Sequence, residues 1–325
     1  MKFNLITILG PTATGKTRLA VQLAEYFNGE IISADSRQVY RGMNIGTGKD
    51  LSDYIINDKQ IPYHLIDVID PTEEFNLYKF QQKFFNSFED VSKRNKLTFF
   101  VGGTGMYLSS ILQNYNLSKA DFENVEKEYF SFSDEELKNI LIELNPVLHN
   151  TTDLTDRNRI LKAIAIAKTG SHFDPDLSGE KSVNSKEIDF SVTSLPRNDK
   201  EKVANSLVIG VSLSRDEIKQ RITARLKKRI DEENMIDEVK SLMDSGITYD
   251  KMIFFGLEYK FIAQYLKGEL NKNDMFQKLN SAIHAFAKLQ MSWFRKMERE
   301  GVVINWIDGA DFNKAKQLIE QNILN

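Results

Sequence analysis

Gly10-Pro11-Thr12-Ala13-Thr14-Gly15-Lys16-Thr17 has the spacing G-x-x-x-x-G-K-[ST], the first stretch of this chain whose residue types could do chemistry. Glycines let a backbone wrap closely round an anion, and a helix starting behind them aims its N–H groups at it. Lys16 adds a point charge and Thr17 a hydroxyl that suits Mg2+. Such a loop reports phosphate, diphosphate or a bound nucleotide, and does not by itself specify ATP. Asp35-Ser36-Arg37-Gln38 follows a short strand candidate at 30–34. A carboxylate at the end of a parallel strand faces the ligand crevice and suits a general base, although Asp35 equally suits a helix cap. Gly102-Gly103-Thr104-Gly105 ends an apolar run, at 97–101. It reads as a plain turn or as a second wall of the same pocket.

These residues need a scaffold, and the first hundred positions supply β-α-β alternation. Residues 3–9, 30–34 and 97–101 predict buried strands, and part of 60–68 a short one. Helical spacing runs through 16–27 and 77–91, the second with Phe80, Phe84, Phe85 and Phe88 on one core-facing stripe. The pattern predicts a mostly parallel sheet with flanking helices. Residues 133–144 and 156–169 predict helices, the first opened by Ser133 with Glu136 three positions on. Residues 171–200 read as a loop, rich in Ser, Asp, Asn and Lys. A strand at 207–213 rejoins the sheet. Helices at 215–244, 257–267 and 272–299 follow, then a strand at 302–307. The expected organisation is a core from 1–114 and 201–325 with a helical insertion domain at 115–200.

Composition narrows the function classes. With 325 residues, 41% hydrophobic and 27% charged, the chain is of ordinary globular type. Cysteine is absent, which excludes disulfides, thiolate nucleophiles, Cys-held iron–sulfur clusters and Cys zinc sites. The four histidines stand at least 23 residues apart, so a His-rich metal site is not expected. Net charge is −3, so any nucleic-acid role needs a local basic face. No apolar run suits a membrane span and the N-terminus reads as a strand, so the expectation is a cytoplasmic protein.

The segments GPTATGKT, ADSRQVY, GMNIGTGK, HLIDVIDP, VGGTGMYL, RNRILKAIAIAKTG, IKQRITARLKKRI and AKLQMSWFRK occur in that order. Together they resemble the tRNA dimethylallyltransferases (tRNA isopentenyltransferases) along nearly the whole chain. The resemblance implies a P-loop NTPase-like core and Mg2+-dependent transfer of a dimethylallyl group from dimethylallyl diphosphate to an adenine N6 in tRNA. That adenine lies just 3′ of the anticodon, so the implied partner is the anticodon stem-loop, and the implied state is a monomer. Gly10 to Thr17 match the diphosphate loop, Asp35 the general base, and Thr104 the residue orienting the amine. Arg221 matches an arginine directed at the diphosphate. Ser36, Arg37 and Gln38, with Asn158, Arg159 and Lys162, match tRNA-contacting segments. The last three also read as surface positions of a helix, and Arg225 and Lys228 as a solvated basic face.

The chain departs from the family pattern at its C-terminal signature, where two usually basic positions are His284 and Leu289. Tyr63 replaces the first member of a His pair, which leaves His64 a structural role. Residues 119–200 hold 16 acidic against 11 basic side chains. A divergent paralogue with intact prenyl transfer and a diluted RNA grip is the expectation, because phosphate neutralisation supplies much of RNA affinity. Prenylation of a free adenine nucleotide, and a P-loop nucleotide kinase or ATPase, are the alternatives.

Overall fold

Strand β1 (Leu5–Leu9) is buried along its whole length. A strand covered on both faces has to be apolar on both, and LITIL nearly is. Side chains alternate: Leu5 and Leu9 enter one core with Ile32 and Phe100, while Ile6 and Ile8 enter the other with Ile31 and Phe99. The computed structural model describes residues 3–115, 117, 120–144, 154, 156–168 and 204–323. The expected loop at 171–200 lies outside them.

In chain order, α1 (Lys16–Tyr26), β2 (Gly29–Ala34), β3 (Ile55–Ile56), β4 (Lys59–Gln60) and β5 (Tyr63–His64) follow β1. Then come α2 (Leu77–Lys93), β6 (Leu97–Gly102) and α3 (Gly105–Leu112). Past α4 (Phe122–Glu128), α5 (Asp134–Leu144) and α6 (Arg157–Lys168), β7 (Ser206–Ser212) is followed by α7 (Arg215–Asp231), α8 (Met235–Asp244), α9 (Tyr249–Phe254), α10 (Leu257–Leu266), α11 (Lys272–Arg299), β8 (Ile304–Asp308) and α12 (Phe312–Ile323). The main sheet runs β5-β2-β6-β1-β7-β8, and every pair in it is parallel. β3 and β4 form a separate antiparallel hairpin. Leu19 and Leu23 of α1 and Ala315 and Ile319 of α12 cover one face. Phe80 and Phe84 of α2, Leu108 of α3, Ile222 of α7 and Phe294 of α11 cover the other. The expected phenylalanine stripe is core, with Phe80 stacked on Tyr107 at 3.8 Å.

Register decides where the chemistry sits. Leu9 pairs with Gly102, and Gly102 with Ala34. The loops after β1, β2 and β6 therefore leave one edge of the sheet side by side, at the carboxyl ends where α/β sheets bind ligands.

The helical insertion has its own centre. In α4, α5 and α6, Val125, Leu137, Leu141, Ile160 and Ile164 pack together apart from the sheet. Ser133 and Glu136 exchange the expected reciprocal caps.

Several elements differ from expectation. The long helix at 215–244 is two helices, because Asn234 takes a left-handed conformation (φ 60°) that asparagine tolerates. Helices α4, α9 and α12 carry no expectation; the first two have only seven and six residues, too short for periodicity to declare them. The third strand keeps two residues of the span 60–68. Among the described residues no helix is long and apolar enough to cross a membrane.

Candidate active site

The loop after β1 has the backbone of an anion cradle. Ala13 (φ 66°) and Gly15 (φ 84°) are left-handed while Thr14 between them is not, and such alternation turns successive N–H groups inward. At Gly15 this conformation is easy because there is no Cβ. Gly15 caps α1 without a side chain, and no acidic residue occupies the helix's first turn. The first N–H groups of α1 are therefore left to a ligand. Thr14 donates its hydroxyl to the Pro11 carbonyl at 3.0 Å, bracing the loop from inside.

Lys16 lies along the cradle, its Nζ 3.4 Å from the Pro11 carbonyl. Burial lowers its pKa to about 8; nearby Asp35 opposes that and Arg225 adds to it. The Thr17 hydroxyl has no protein partner among the described residues.

Arg225 reaches the same loop from α7 and donates to the Thr12 hydroxyl. Burial lowers its pKa to about 10, with Arg229 adding to the shift and Glu258 the first group opposing it. Glu258 is a carboxylate whose pKa burial raises, eased by Arg229 and Arg225. The other basic positions of α7 divide. Arg221 is exposed one turn before Arg225, with Glu217 feeling its charge. Lys228 pairs with Glu233 at 2.8 Å. Buried Arg229 holds Asp50 at 3.0 Å. Arg225, which the sequence left open as a solvated position, is thus the α7 cation seated on the loop.

Asp35 stands half-buried just past β2. One carboxylate oxygen accepts from the Arg37 N–H at 2.9 Å, and the other has no hydrogen bond among the described residues. Thr104 joins it from the loop after β6: its hydroxyl accepts from the Ser36 N–H at 3.2 Å, and its own N–H donates to the Ala34 carbonyl at 3.2 Å. Gln38 is buried, taking the Ser33 hydroxyl at 3.0 Å and donating to the Gly48 carbonyl at 3.2 Å. The Arg37 guanidinium lies 5.2 Å from the Phe254 ring centre.

The remaining sequence candidates lie elsewhere. On α6, Asn158 is exposed, Arg159 pairs with Asp156 at 3.2 Å, and the Lys162 ammonium lies 5.9 Å from the Phe122 ring. They belong to the small helical core, not to the sheet edge. His284 is half-buried, its ring 3.4 Å from the Thr223 hydroxyl of α7. His64 meets buried Glu30 at 2.8 Å near the amino end of β2, the structural role expected of it.

Two residues escaped sequence reasoning. Lys49 is fully buried and donates to the Tyr40 carbonyl, to Asn44 and to Asp67. Burial lowers its pKa, and Asp67 opposes the shift. Glu238 of α8 accepts from the N–H groups of Asn44, Ile45 and Gly46 at 2.7–3.0 Å and from the Tyr259 hydroxyl at 2.7 Å. Both brace the segment behind Asp35. Lys49 lies in the GMNIGTGK segment; nothing in the sequence marked Glu238.

A wholly parallel main sheet with this loop on a central strand defines a P-loop protein whose anion cradle shares its edge with the Asp35 carboxylate. Family models narrow the class: one described as IPP transferase matches residues 38–297, and one described as isopentenyl transferase matches 3–62. The chain belongs to the IPP transferase family. It is 48% identical to tRNA dimethylallyltransferase 1 of Geotalea uraniireducens, covering 100% of this chain and 99% of that one. It is 45% identical to tRNA dimethylallyltransferase 2 of Phocaeicola vulgatus, covering 95% and 94%. The solved tRNA isopentenylpyrophosphate transferase of Bacillus halodurans superposes with a TM-score of 0.63 at 30% identity, over 99% of this chain and 95% of that one. A eukaryotic dimethylallyltransferase acting on tRNA shares the fold at TM-score 0.69 and 22% identity, over 99% of this chain and 77% of that one.

Proposed function

We propose that this protein transfers a dimethylallyl group from dimethylallyl diphosphate to N6 of the adenine 3′-adjacent to the anticodon in tRNA, releasing diphosphate. The observation that carries the reading is the meeting of Lys16 and Asp35: a cationic anion cradle lies within electrostatic reach of a carboxylate that keeps one oxygen free. Family membership supplies the substrate class.

The N–H groups of 13–17, Lys16 and Arg225 take the diphosphate, with Arg221 one turn away on the approach. Charge builds on the leaving diphosphate as the bond to the prenyl carbon breaks, and fixed donors stabilise that charge where it develops. Thr17 fits Mg2+, which binds through few protein oxygens when substrate phosphates and water complete its shell. When bound, the ion neutralises charge on the leaving group.

The adenine leaves its stack to enter the crevice, as bases must when their edges react. Thr104 orients its amine. As N6 forms its bond to C1, the C1–O electron pair leaves with the diphosphate and one N6 proton passes to Asp35. An adenine amine is a weak nucleophile, so a positioned base accelerates its attack. Ser36 and Arg37 line the acceptor side, Gln38 being turned inward to Ser33 and Gly48 and so bracing the segment and not meeting RNA, and Asn158, Arg159 and Lys162 offer α6 to the RNA. The protein acts as a cytoplasmic monomer in this reading.

Nucleoside mass analysis tests it. Protein, Mg2+ and dimethylallyl diphosphate are incubated with unmodified tRNA and, separately, with AMP. The expected result is an isopentenyl mass gain on tRNA adenine alone. A gain on AMP alone makes the acceptor a free nucleotide, and no gain on either overturns the reading.

A further inference from the structure

Gln290 lies in the AKLQMSWFRK stretch of α11, and the chemistry above gives it no task. Its side chain is buried between two loops that leave the sheet edge next to each other. Its Oε1 accepts from the Thr12 N–H at 2.8 Å, and its Nε2 donates to the Gly103 carbonyl at 2.9 Å. The partners fix the orientation of the amide, because a backbone N–H can only donate and a carbonyl can only accept.

The loops are pressed together where this happens. A Cβ at Gly103 would sit 2.4 Å from the Gln290 Nε2 and 3.2 Å from the Gly10 carbonyl oxygen. One turn further along α11, Trp293 packs where the Gly103 loop enters α3: a Cβ at Gly105 would meet its Cγ at 2.5 Å. Positions three apart share a helix face, so α11 holds both the second loop and the start of α3. Thr12 carries the hydroxyl that receives Arg225, and Gly103 precedes Thr104, which is tied to Ser36 beside Asp35. One amide thus connects the loop of the leaving group to the loop of the acceptor.

It also takes a donor away from the cradle. With the Thr12 N–H spent on Gln290, the diphosphate is met by the N–H groups from Ala13 onward. The bridge needs an acceptor and a donor at the same side-chain end. A carboxylate has no donor for the Gly103 carbonyl, and leucine has neither group.

We propose that Gln290 is a positioning residue that sets the separation of the diphosphate loop and the acceptor loop, and so the alignment of N6 with the departing diphosphate. The inference rests on the proposed function. Misplacement of about 1 Å costs on the order of 100-fold in rate when alignment carries the catalysis.

The test is steady-state transfer with Gln290→Leu and Gln290→Glu, alongside pyrophosphate calorimetry and thermal unfolding of each. For Gln290→Leu, kcat is expected to fall about 30- to 100-fold, with KM for both substrates and the pyrophosphate Kd within about threefold of wild type. Gln290→Glu keeps the acceptor for Thr12 and close to the native volume, and should fold if the leucine variant does not. It is expected to lose kcat in the same way, because its second oxygen faces the Gly103 carbonyl. A kcat within threefold of wild type, a loss confined to KM or pyrophosphate affinity, or failure of both variants to fold would each overturn the inference. An inactive wild type would instead strike the proposed function, and this inference with it.

Discussion

Arg225 on α7 donates to the hydroxyl of Thr12 across 213 residues of chain. Half-buried beside Arg229 and balanced by Glu258, it is a cation held at the loop by the fold. Replacing it with alanine removes a donor aimed at developing phosphate charge, a loss of about 100-fold or more in transfer. Arg225→Lys should recover little, since a point charge does not reproduce the planar fork. Equal activity in the wild type and both variants would remove Arg225 from the diphosphate site.

Asp35 has one oxygen engaged and, among the described residues, one free, the arrangement a proton acceptor needs. Asp35→Asn keeps the shape and the capacity to accept from Arg37 while losing basicity. Transfer should fall about 100- to 10,000-fold with pyrophosphate affinity unchanged. Single-turnover rates against calorimetric binding make the separation, and parallel losses in both would assign Asp35 a structural role.

Lys16 sets a pH dependence. Its pKa is lowered to about 8, and the charged form binds diphosphate. As pH rises through that value the free protein loses the charge, so pyrophosphate affinity should fall above pH 8, by up to about tenfold per pH unit. Stability moves the other way. Between about pH 8 and the ordinary lysine value the unfolded chain binds more protons at this group than the native one, so its contribution to stability rises with pH. Calorimetry from pH 6.5 to 9.5 decides the binding arm; a flat profile, or one unchanged in Lys16→Met, would count against it.

Glu238 answers three consecutive backbone N–H groups and a tyrosine hydroxyl with one carboxylate. Glu238→Ala leaves those donors short of an acceptor, at a cost of about 2–4 kcal/mol. Urea unfolding should show it as a lower midpoint with unchanged slope. A midpoint equal to wild type would mean that water replaces the carboxylate without loss.

The candidate site residues at the strand ends were legible in the chain because their chemistry is local. Gly15 and Lys16 are consecutive, so spacing alone announces a cradle. Asp35 and Thr104 each follow a strand candidate, so strand ends announce them. The parallel sheet followed from the same candidates, since strands buried on both faces must be largely apolar.

Only the tertiary structure decided which distant groups close the site. Arg221 and Arg225 lie on one helical face four residues apart, and no pattern in the helix says which turn meets Thr12; the packing of α7 beside the loop does. Gln290 and Glu238 act through backbone N–H and carbonyl groups, which every non-proline residue carries, so their partners leave no trace in residue type. The break at Asn234, which a helical pattern runs straight through, lets α8 present Glu238 to Asn44, Ile45 and Gly46. The sequence by itself determined the phosphate chemistry and the sheet that carries it. The closing of the candidate site belongs to the packing of α7, α8 and α11, because it depends on distances between segments the chain brings together only when folded.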